Sequence, residues 1–453
     1  MKIQSLILLA IFGGFWLIFA ALQNDTIFKN SFCRIAKNYH NENGNIAPGE
    51  YSYQSFTEEF FVRWDAKHYA SIHQHGYPQA TQLESDFIYA FFPLFPLVWK
   101  ISGLPATGLH FLNYIFFAVS ILILSFLFVQ KTHRNIYTIL ACCFPGLVIF
   151  LIPYTEALFM ICISTAVYGM IKNKYGLYFI FMMLAAMTRP CYIFVIMAFA
   201  AAEFYFFLQH KKLIESLKNL SLQALPLLIG TGIVSCIQYA SGSGSFFRFL
   251  EVQKYWQHVL SIPHNIRDWS AEGFSINYGV LVFLSIPLVI YLFNLYFVQK
   301  KKSAELSNLT RAESFIFIAS LLYIVQLSAF ILLFQGGSLH NLFRYTICTP
   351  FFYIALALGY KIIQNIPKSI VINLLAILFL IGFLFYGLTP YSTNWNFSDL
   401  GFFILFGSLL WWYLQDQASY LYYKIGLFII LLVNLVWTSY LLNMYLSDAW
   451  IFT

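Results

Sequence analysis

Long apolar runs follow one another along almost the whole chain, and they restrict it to a few folds. A helix of about 20 apolar residues spans a bilayer, and within lipid only helices and closed barrels satisfy their own backbone hydrogen bonds. The runs are continuous rather than alternating, which favours helices over a β-barrel. There are about thirteen such runs, at residues 6–22, 109–129, 136–152, 154–171, 175–188, 190–208, 222–239, 280–298, 314–334, 345–363, 370–388, 402–414 and 425–446.

The number and distribution of charged residues support this interpretation and predict how the chain is oriented in the membrane. Only 10% of residues are charged, against about 25% in soluble domains, so a soluble protein is excluded. We predict an all-α polytopic membrane protein with about thirteen transmembrane helices, forming a single domain over residues 1–453. Lys and Arg concentrate in short loops that the positive-inside rule places in the cytoplasm, at residues 131–134, 172–174, 211–218, 300–311 and 361–368.

Two longer loops, at residues 23–86 and 240–279, then lie outside, with the N-terminus inside and the C-terminus outside. The net charge of +7 is spread over short loops, so we expect membrane lipids and no nucleic acid as partners. The cysteines show neither a disulfide framework nor metal-type spacing. We therefore predict no metal or other cofactor, and a divalent cation stays open.

The first external loop contains FVRWDAKHY at residues 61–69, within an interfacial helix predicted over residues 58–75. Ionisable groups beside a bilayer are costly, so their clustering indicates a functional site. On a helix Asp65, His68 and Tyr69 share one face. Asp65 would take a proton from an acceptor hydroxyl, and His68 would orient that hydroxyl or assist a phosphate leaving group. Neighbouring side chains predicted to contact substrate are Arg63, Trp64, Lys67 and Tyr69. The alternative is a helix whose charges only touch lipid headgroups.

The sequence FFPLFP follows at residues 91–96. Two prolines in one apolar turn break a spanning helix, so residues 87–101 are predicted to form a re-entrant or interfacial element. A bent apolar element beside an acidic site suits a groove for a prenyl chain, and the alternative is a kinked packing helix. The predicted groove residues are Phe91, Phe92, Pro93, Phe95 and Pro96.

Further candidates stand at the external ends of predicted helices. Arg189 and Arg344 are predicted to bind phosphate, because a guanidinium pairs with phosphate in a bidentate manner. Each of them taken alone could instead be an arginine that reaches the membrane surface. Polar or aromatic groups suited to the acceptor or a sugar face are Glu156, Gln253 and Trp256.

These motifs, taken in order, resemble the GPI mannosyltransferase II family (the phosphatidylinositol-glycan class V type), which includes bacterial relatives. The resemblance covers most of the chain, although the family continues with Asn-Gly after Thr188-Arg189, where this chain has Pro190-Cys191. The matching residues are Arg63-Trp64-Asp65, His68-Tyr69, Gly76-Tyr77, Ala90 to Pro96, Phe144-Pro145, Pro153 to Phe159, Thr188-Arg189, Phe246, Gln253, Trp256 and Phe343-Arg344.

The resemblance implies a GT-C glycosyltransferase fold whose first external loop bears interfacial helices and the catalytic acid. It implies inverting transfer of a sugar, typically mannose, from a polyprenyl-phosphate donor such as dolichyl-phosphate mannose to a lipid, glycan or protein acceptor. Asp65 would be the general base, His68 would assist it, and Arg344 and Arg189 would hold the donor phosphate.

The compact loops suit a bacterial relative in the inner membrane with a periplasmic active site. The alternative is the endoplasmic reticulum membrane with a lumenal site. A polytopic transporter or lipid-linked-sugar flippase is the competing function, and a non-catalytic assembly subunit is a third.

Overall fold

The protein is described by a computed structural model. The residues it describes are 2–27, 54–78, 86–256, 260, 275–298, 306, 308–335, 338–364, 366–387 and 397–452. Every regular element within these ranges is helical, which confirms the all-α prediction. Within the same ranges, eight helices are long and apolar enough to cross a membrane, as a polytopic membrane protein requires: Lys2–Leu22, Ala106–Phe128, Tyr192–His210, Leu213–Ala240, Ile276–Phe297, Arg311–Phe334, Lys368–Phe385 and Leu421–Leu446.

Shorter helices fill the spaces between the long ones. Four are apolar and 10–17 residues long, so the prediction of thirteen crossings and that of a GT-C fold stay predictions. In chain order the α-helices are α1 Lys2–Leu22, α2 Asp25–Ile27, α3 Glu58–Phe61, α4 Asp65–His75, α5 Leu94–Ser102, α6 Leu109–Phe128, α7 Arg134–Cys143, α8 Glu156–Ile171, α9 Tyr175–Ala186, α10 Tyr192–His210, α11 Leu213–Ala240, α12 Arg248–Glu251, α13 Ile276–Val280, α14 Ile286–Phe293, α15 Arg311–Phe334, α16 Leu342–Thr346, α17 Pro350–Ile363, α18 Lys368–Gly387, α19 Leu400–Tyr413 and α20 Leu421–Leu446.

One predicted span, residues 136–152, is interrupted. Helix α7 ends at Cys143, a short 3₁₀ turn covers Leu147–Phe150, and α8 begins only at Glu156. Pro145 cannot donate a backbone hydrogen bond, and Gly146 has φ +115°, which a side chain would strain. The chain therefore reaches Glu156 through an irregular and wholly buried segment.

The interfacial helix predicted over residues 58–75 is two helices, and this corrects the prediction. Helix α3 ends at Phe61 and α4 starts at Asp65. Between them Trp64 has φ 51° and ψ −126°, which is unusual for a residue other than glycine. The hydroxyl of Tyr445 fixes this break, because it donates to the Arg63 carbonyl at 3.1 Å and accepts from the Arg63 amide at 3.3 Å.

Residues 87–101 do not form a long helix. Asp86–Ala90 is a 3₁₀ turn, and α5 follows and packs against α4. Pro96 is tolerated because it lies in the first turn of α5, where backbone amides have no partner within the helix. The amide of Leu94 instead donates to the Met187 carbonyl at 3.2 Å, and this bond ties the FFPLFP segment to the turn that carries Arg189.

Helices α8, α9, α10, α11, α15 and α17 pack side by side around the centre of the molecule. Close approach between α9 and α11 depends on Gly230. A Cβ atom at this position would lie 2.3 Å from the Met183 carbonyl oxygen. At Gly232, two residues further along α11, an added Cβ atom would have no neighbouring atom within 4 Å.

We predict opposite effects for alanine at these two glycines. Gly230→Ala forces α9 and α11 apart and should lower the free energy of unfolding by roughly 1–3 kcal/mol. Gly232→Ala should be neutral or stabilising by up to about 1 kcal/mol, because alanine favours the helix. Thermal unfolding of both purified variants in detergent measures the difference. Equal melting temperatures would contradict the packing of α9 on α11.

Candidate active site

A chain of ion pairs joins residues from four distant parts of the sequence. Arg344 Nη1 lies 2.8 Å from Asp65 Oδ2, and Arg344 Nε lies 2.5 Å from Glu156 Oε1. Arg189 Nη1 lies 3.1 Å from the same Glu156 oxygen. The order of contacts is Asp65, Arg344, Glu156, Arg189, and we call these four residues the charge network.

Burial within the charge network is uneven. Glu156 is 0% exposed, and the Arg344 and Arg189 residues are 4% and 7% exposed. The Asp65 side chain is 27% exposed. Charges this deeply buried are stable only when they are paired, so the two carboxylates and the two guanidiniums balance each other. Asp65 is the member that a molecule arriving from outside would meet first.

Aromatic rings surround the guanidiniums. The Arg344 guanidinium carbon lies 4.5 Å from the centre of the Tyr154 ring and 5.1 Å from that of Phe452. The Arg189 guanidinium carbon lies 4.9 Å from the centre of the Tyr345 ring. Cation–π attraction strengthens in such desolvated surroundings, and the rings keep water from the arginines.

The backbone that presents Arg344 is fixed by two other segments. Asn341, with φ 67°, occupies the left-handed region just before α16, a conformation that asparagine tolerates better than most residues. The backbone amide of Asn341 donates to the Phe452 carbonyl at 2.8 Å. Asn277 accepts from the Phe343 amide at 2.8 Å and donates to the same Phe452 carbonyl at 3.0 Å.

Sequence patterns did not identify Asn277, Tyr445 or Phe452 as parts of the site, and they included Tyr154 only within the matching segment 153–159, with no role of its own. Asn277 is a polar residue that is 0% exposed, but an asparagine within an apolar run gives no sign of which backbone it will bind. The two tyrosines and Phe452 are three among 31 tyrosines and 50 phenylalanines. Composition therefore offered no signal that would single them out.

Asp65 lies at the first residue of α4, where a carboxylate is favoured by the helix dipole. His68, one turn later, stacks on Phe91 with ring centres 4.4 Å apart. Burial lowers the pKa of His68, while the Asp65 carboxylate opposes this shift and Lys67 adds to it. The imidazole is therefore held neutral at pH 7, beside the carboxylate that the sequence predicts as a base.

Other predicted contacts lie in different environments. Tyr69 is 5% exposed and its ring packs edge-on against Phe91 and Phe95. Lys67 is exposed and Trp64 is half-buried beside Trp450. Arg63 is half-buried, and its Nε lies 3.9 Å from Asp448 Oδ1. Arg63, Trp64 and Lys67 are thus at least partly accessible to solvent, whereas Tyr69 is part of the interior.

Glu156 does not face the outside, in contrast to the acceptor contact predicted for it. Its Oε1 holds both arginines, and its buried Oε2 has no hydrogen-bond partner among the described residues. Gln253 uses its side-chain amide to bind the Phe249 carbonyl at 3.0 Å within its own turn. The side chain of Trp256 lies outside the described part of the chain, as do residues 257–259 and 261–274 of the second external loop and residues 28–53 and 79–85 of the first.

The predicted lipid groove requires a correction. All six side chains of FFPLFP are buried within the protein, because they fill the space between α4, α5 and the turn before α10. Phe91 supports His68, and Phe95 supports Tyr69. The segment therefore forms the floor beneath the predicted catalytic face and presents no open surface to a prenyl chain.

Among the described residues, no group of three or more His, Cys, Asp and Glu side chains is arranged to hold a metal ion. Comparisons with family models, with curated proteins and with solved structures find no match for this chain.

We predict that the charge network is held together by Glu156. Glu156→Gln leaves two buried guanidiniums with one carboxylate and should lower the free energy of unfolding by roughly 3–5 kcal/mol. Glu251→Gln, which removes a more exposed partner of Arg248, should cost about 1 kcal/mol or less. Thermal unfolding of the two variants compares these effects, and a Glu156 variant no less stable than the Glu251 variant would contradict the role of Glu156.

Proposed function

We propose that this protein is a membrane glycosyltransferase that moves a sugar, typically mannose, from a polyprenyl-phosphate donor to a lipid, glycan or protein acceptor on the external face. The observation that carries the proposal is the charge network, in which the partly exposed carboxylate of Asp65 pairs directly with the buried Arg344. This arrangement places a proton acceptor, Asp65, in direct contact with a guanidinium that can bind phosphate.

In the proposed reaction, Asp65 accepts the proton of the acceptor hydroxyl. The hydroxyl oxygen forms a bond to the anomeric carbon of the donor sugar as the bond from that carbon to the phosphate oxygen breaks. The phosphate leaves with the bonding electrons on the opposite face, so that the sugar configuration inverts. Neutral His68, three residues after Asp65 on the same helix, lies close enough to Asp65 to orient the hydroxyl.

The arginines can still bind the donor phosphate, although some of their N–H groups already pair with carboxylates. A guanidinium carries five N–H donors. Arg344 gives two of its nitrogens to Asp65 and Glu156, and Arg189 gives one to Glu156. Both retain donors for phosphate oxygens, and in a site screened by aromatic rings such donors stabilise the charge that develops on a leaving phosphate. Glu156 is then a positioning residue that holds both guanidiniums.

Asp65→Asn tests the base. The amide keeps the shape of the side chain but accepts a proton poorly, so we expect transfer to fall by about 10²–10⁴-fold. We expect the fold to stay intact, because Asp65 is partly exposed and Glu156 still pairs with both arginines. Membranes and purified protein are given polyprenyl-phosphate mannose with a labelled sugar, and the products are extracted and counted. Glu59→Gln, an exposed carboxylate of α3, is the matched control and should leave transfer unchanged. Wild-type transfer by Asp65→Asn would refute the base assignment.

Panels of other polyprenyl-phosphate sugars decide whether mannose is the sugar that is moved. A folded wild-type protein that transfers none of them, but moves a lipid-linked sugar between the leaflets of a vesicle, would establish the competing flippase function instead. The placement of the active site in the periplasm of a bacterial inner membrane is part of the same proposal.

His68→Phe tests the role of the imidazole nitrogens separately from the packing of the ring. Phenylalanine can keep the stacking on Phe91 but has no ring nitrogen, so we expect a loss of roughly 10–100-fold in transfer with little change in melting temperature. His68→Ala removes both contributions and should also lower the melting temperature. If His68→Phe retains full transfer, His68 serves packing alone.

A further inference from the structure

A second polar site lies far along the bundle from the charge network. A cavity of about 590 Å³ opens between α9, α10, α11 and the start of α15. Glu203, one of its lining residues, is eleven residues beyond the start of α10, or about 17 Å along the helix axis. Arg189 precedes the opposite end of that helix, so the cavity is separate from the proposed active site.

The cavity contains buried acceptors that lack donors. Glu203 is 5% exposed, and its Oε1 accepts a hydrogen bond from Gln223 Nε2 at 3.0 Å. The amide of Asn219 lies beside the same carboxylate. The buried atoms Glu203 Oε2 and Gln223 Oε1 have no hydrogen-bond partner among the described residues. Buried acceptors without donors are costly, so this pair of oxygens favours a ligand that brings several N–H groups.

A primary ammonium fits these acceptors better than other common donors. It carries three N–H donors and a positive charge, which complements the carboxylate of Glu203. A hydroxyl offers only one donor and no charge, and a quaternary ammonium has no N–H at all. The lining of the cavity is therefore complementary to a primary amine in its hydrogen-bond acceptors as well as in its charge.

The rim of the cavity supplies two further kinds of contact. Arg311 at the start of α15 has a side chain that is 56% exposed, and one of its nitrogens, Nη1, pairs with Glu215 at 3.0 Å. Its remaining N–H groups are suited to a phosphate. On the same rim Tyr175 and Leu222 are 70% and 57% exposed, and they extend the apolar surface of helices long enough to lie in a membrane.

We propose that this cavity binds a phospholipid whose headgroup joins a primary amine to a phosphate. The ammonium donates to Glu203 and Gln223, the phosphate contacts Arg311, and the acyl chains follow the apolar surface beside Leu222. The site does not depend on the proposed function, because it shares no residue with the charge network.

Binding to the purified full chain tests the proposal. Spin-labelled or fluorescent phosphatidylethanolamine and phosphatidylcholine with identical acyl chains are titrated in detergent, and occupancy is measured by native mass spectrometry. We expect at least tenfold tighter binding of phosphatidylethanolamine to the wild type. Equal affinities would refute the site, because the two lipids differ only in whether the cationic nitrogen carries three hydrogens or three methyl groups.

Three variants locate the binding. Glu203→Gln keeps the size of the side chain but removes its charge, and should bring phosphatidylethanolamine to the affinity of phosphatidylcholine. Leu222→Trp fills the rim without altering the buried carboxylate, and should weaken binding even if Glu203→Gln proves unstable. Asp416→Asn, which removes a carboxylate paired with Lys368 outside the cavity, should retain the wild-type preference. A preference for phosphatidylethanolamine that persists in both Glu203→Gln and Leu222→Trp would overturn the assignment.

Competition separates a lipid from a soluble ligand with the same chemistry. Glycerophosphoethanolamine has the amine and the phosphate but no acyl chains. We expect it to displace the bound lipid only at concentrations at least 100-fold above those of the lipid itself. Displacement at equal concentrations would show that the cavity takes a soluble phosphate amine and would refute the lipid assignment.

Discussion

Glu156 is a fully buried carboxylate on which two buried arginines depend. A single oxygen of its side chain contacts Arg344 at 2.5 Å and Arg189 at 3.1 Å, and without it two guanidiniums would share the interior with only Asp65. Breaking a buried ion pair by removing one partner is strongly destabilising. Glu156, at the start of α8, therefore links this helix to Arg189 in the turn before α10 and to Arg344 in α16. Arg344 in turn pairs with Asp65.

The segments around the charge network are held by hydrogen bonds from parts of the chain that are remote in sequence. Tyr445 bonds both backbone groups of Arg63, next to the left-handed Trp64, and Phe452 accepts from Asn341 and Asn277. An unusual backbone conformation persists only when its surroundings fix it. The end of α20 and the residues after it thus determine where α4 starts, and with it the position of Asp65.

Buried ionisable groups lie just before the start of α10 and within its second half, and they differ in how they are satisfied. Near Arg189 each charge has a partner of opposite sign, and aromatic rings cover the arginines. Near Glu203 the carboxylate has an amide partner on one oxygen and, within the described part of the chain, none on the other. A balanced network suits a site that must keep its geometry during a reaction, whereas unmatched acceptors suit a site that a ligand completes.

The sequence by itself determined the all-helical membrane class, because long apolar runs with few charges have no other stable fold in lipid. It also singled out Asp65, Glu156, Arg189 and Arg344, since ionisable residues beside apolar runs are rare. Only the tertiary structure decided that these four meet, that Glu156 faces the arginines, and that FFPLFP is buried. These contacts join residues that are 33 positions apart or more. They depend on how helices pack, and a local pattern of residues carries no information about that packing.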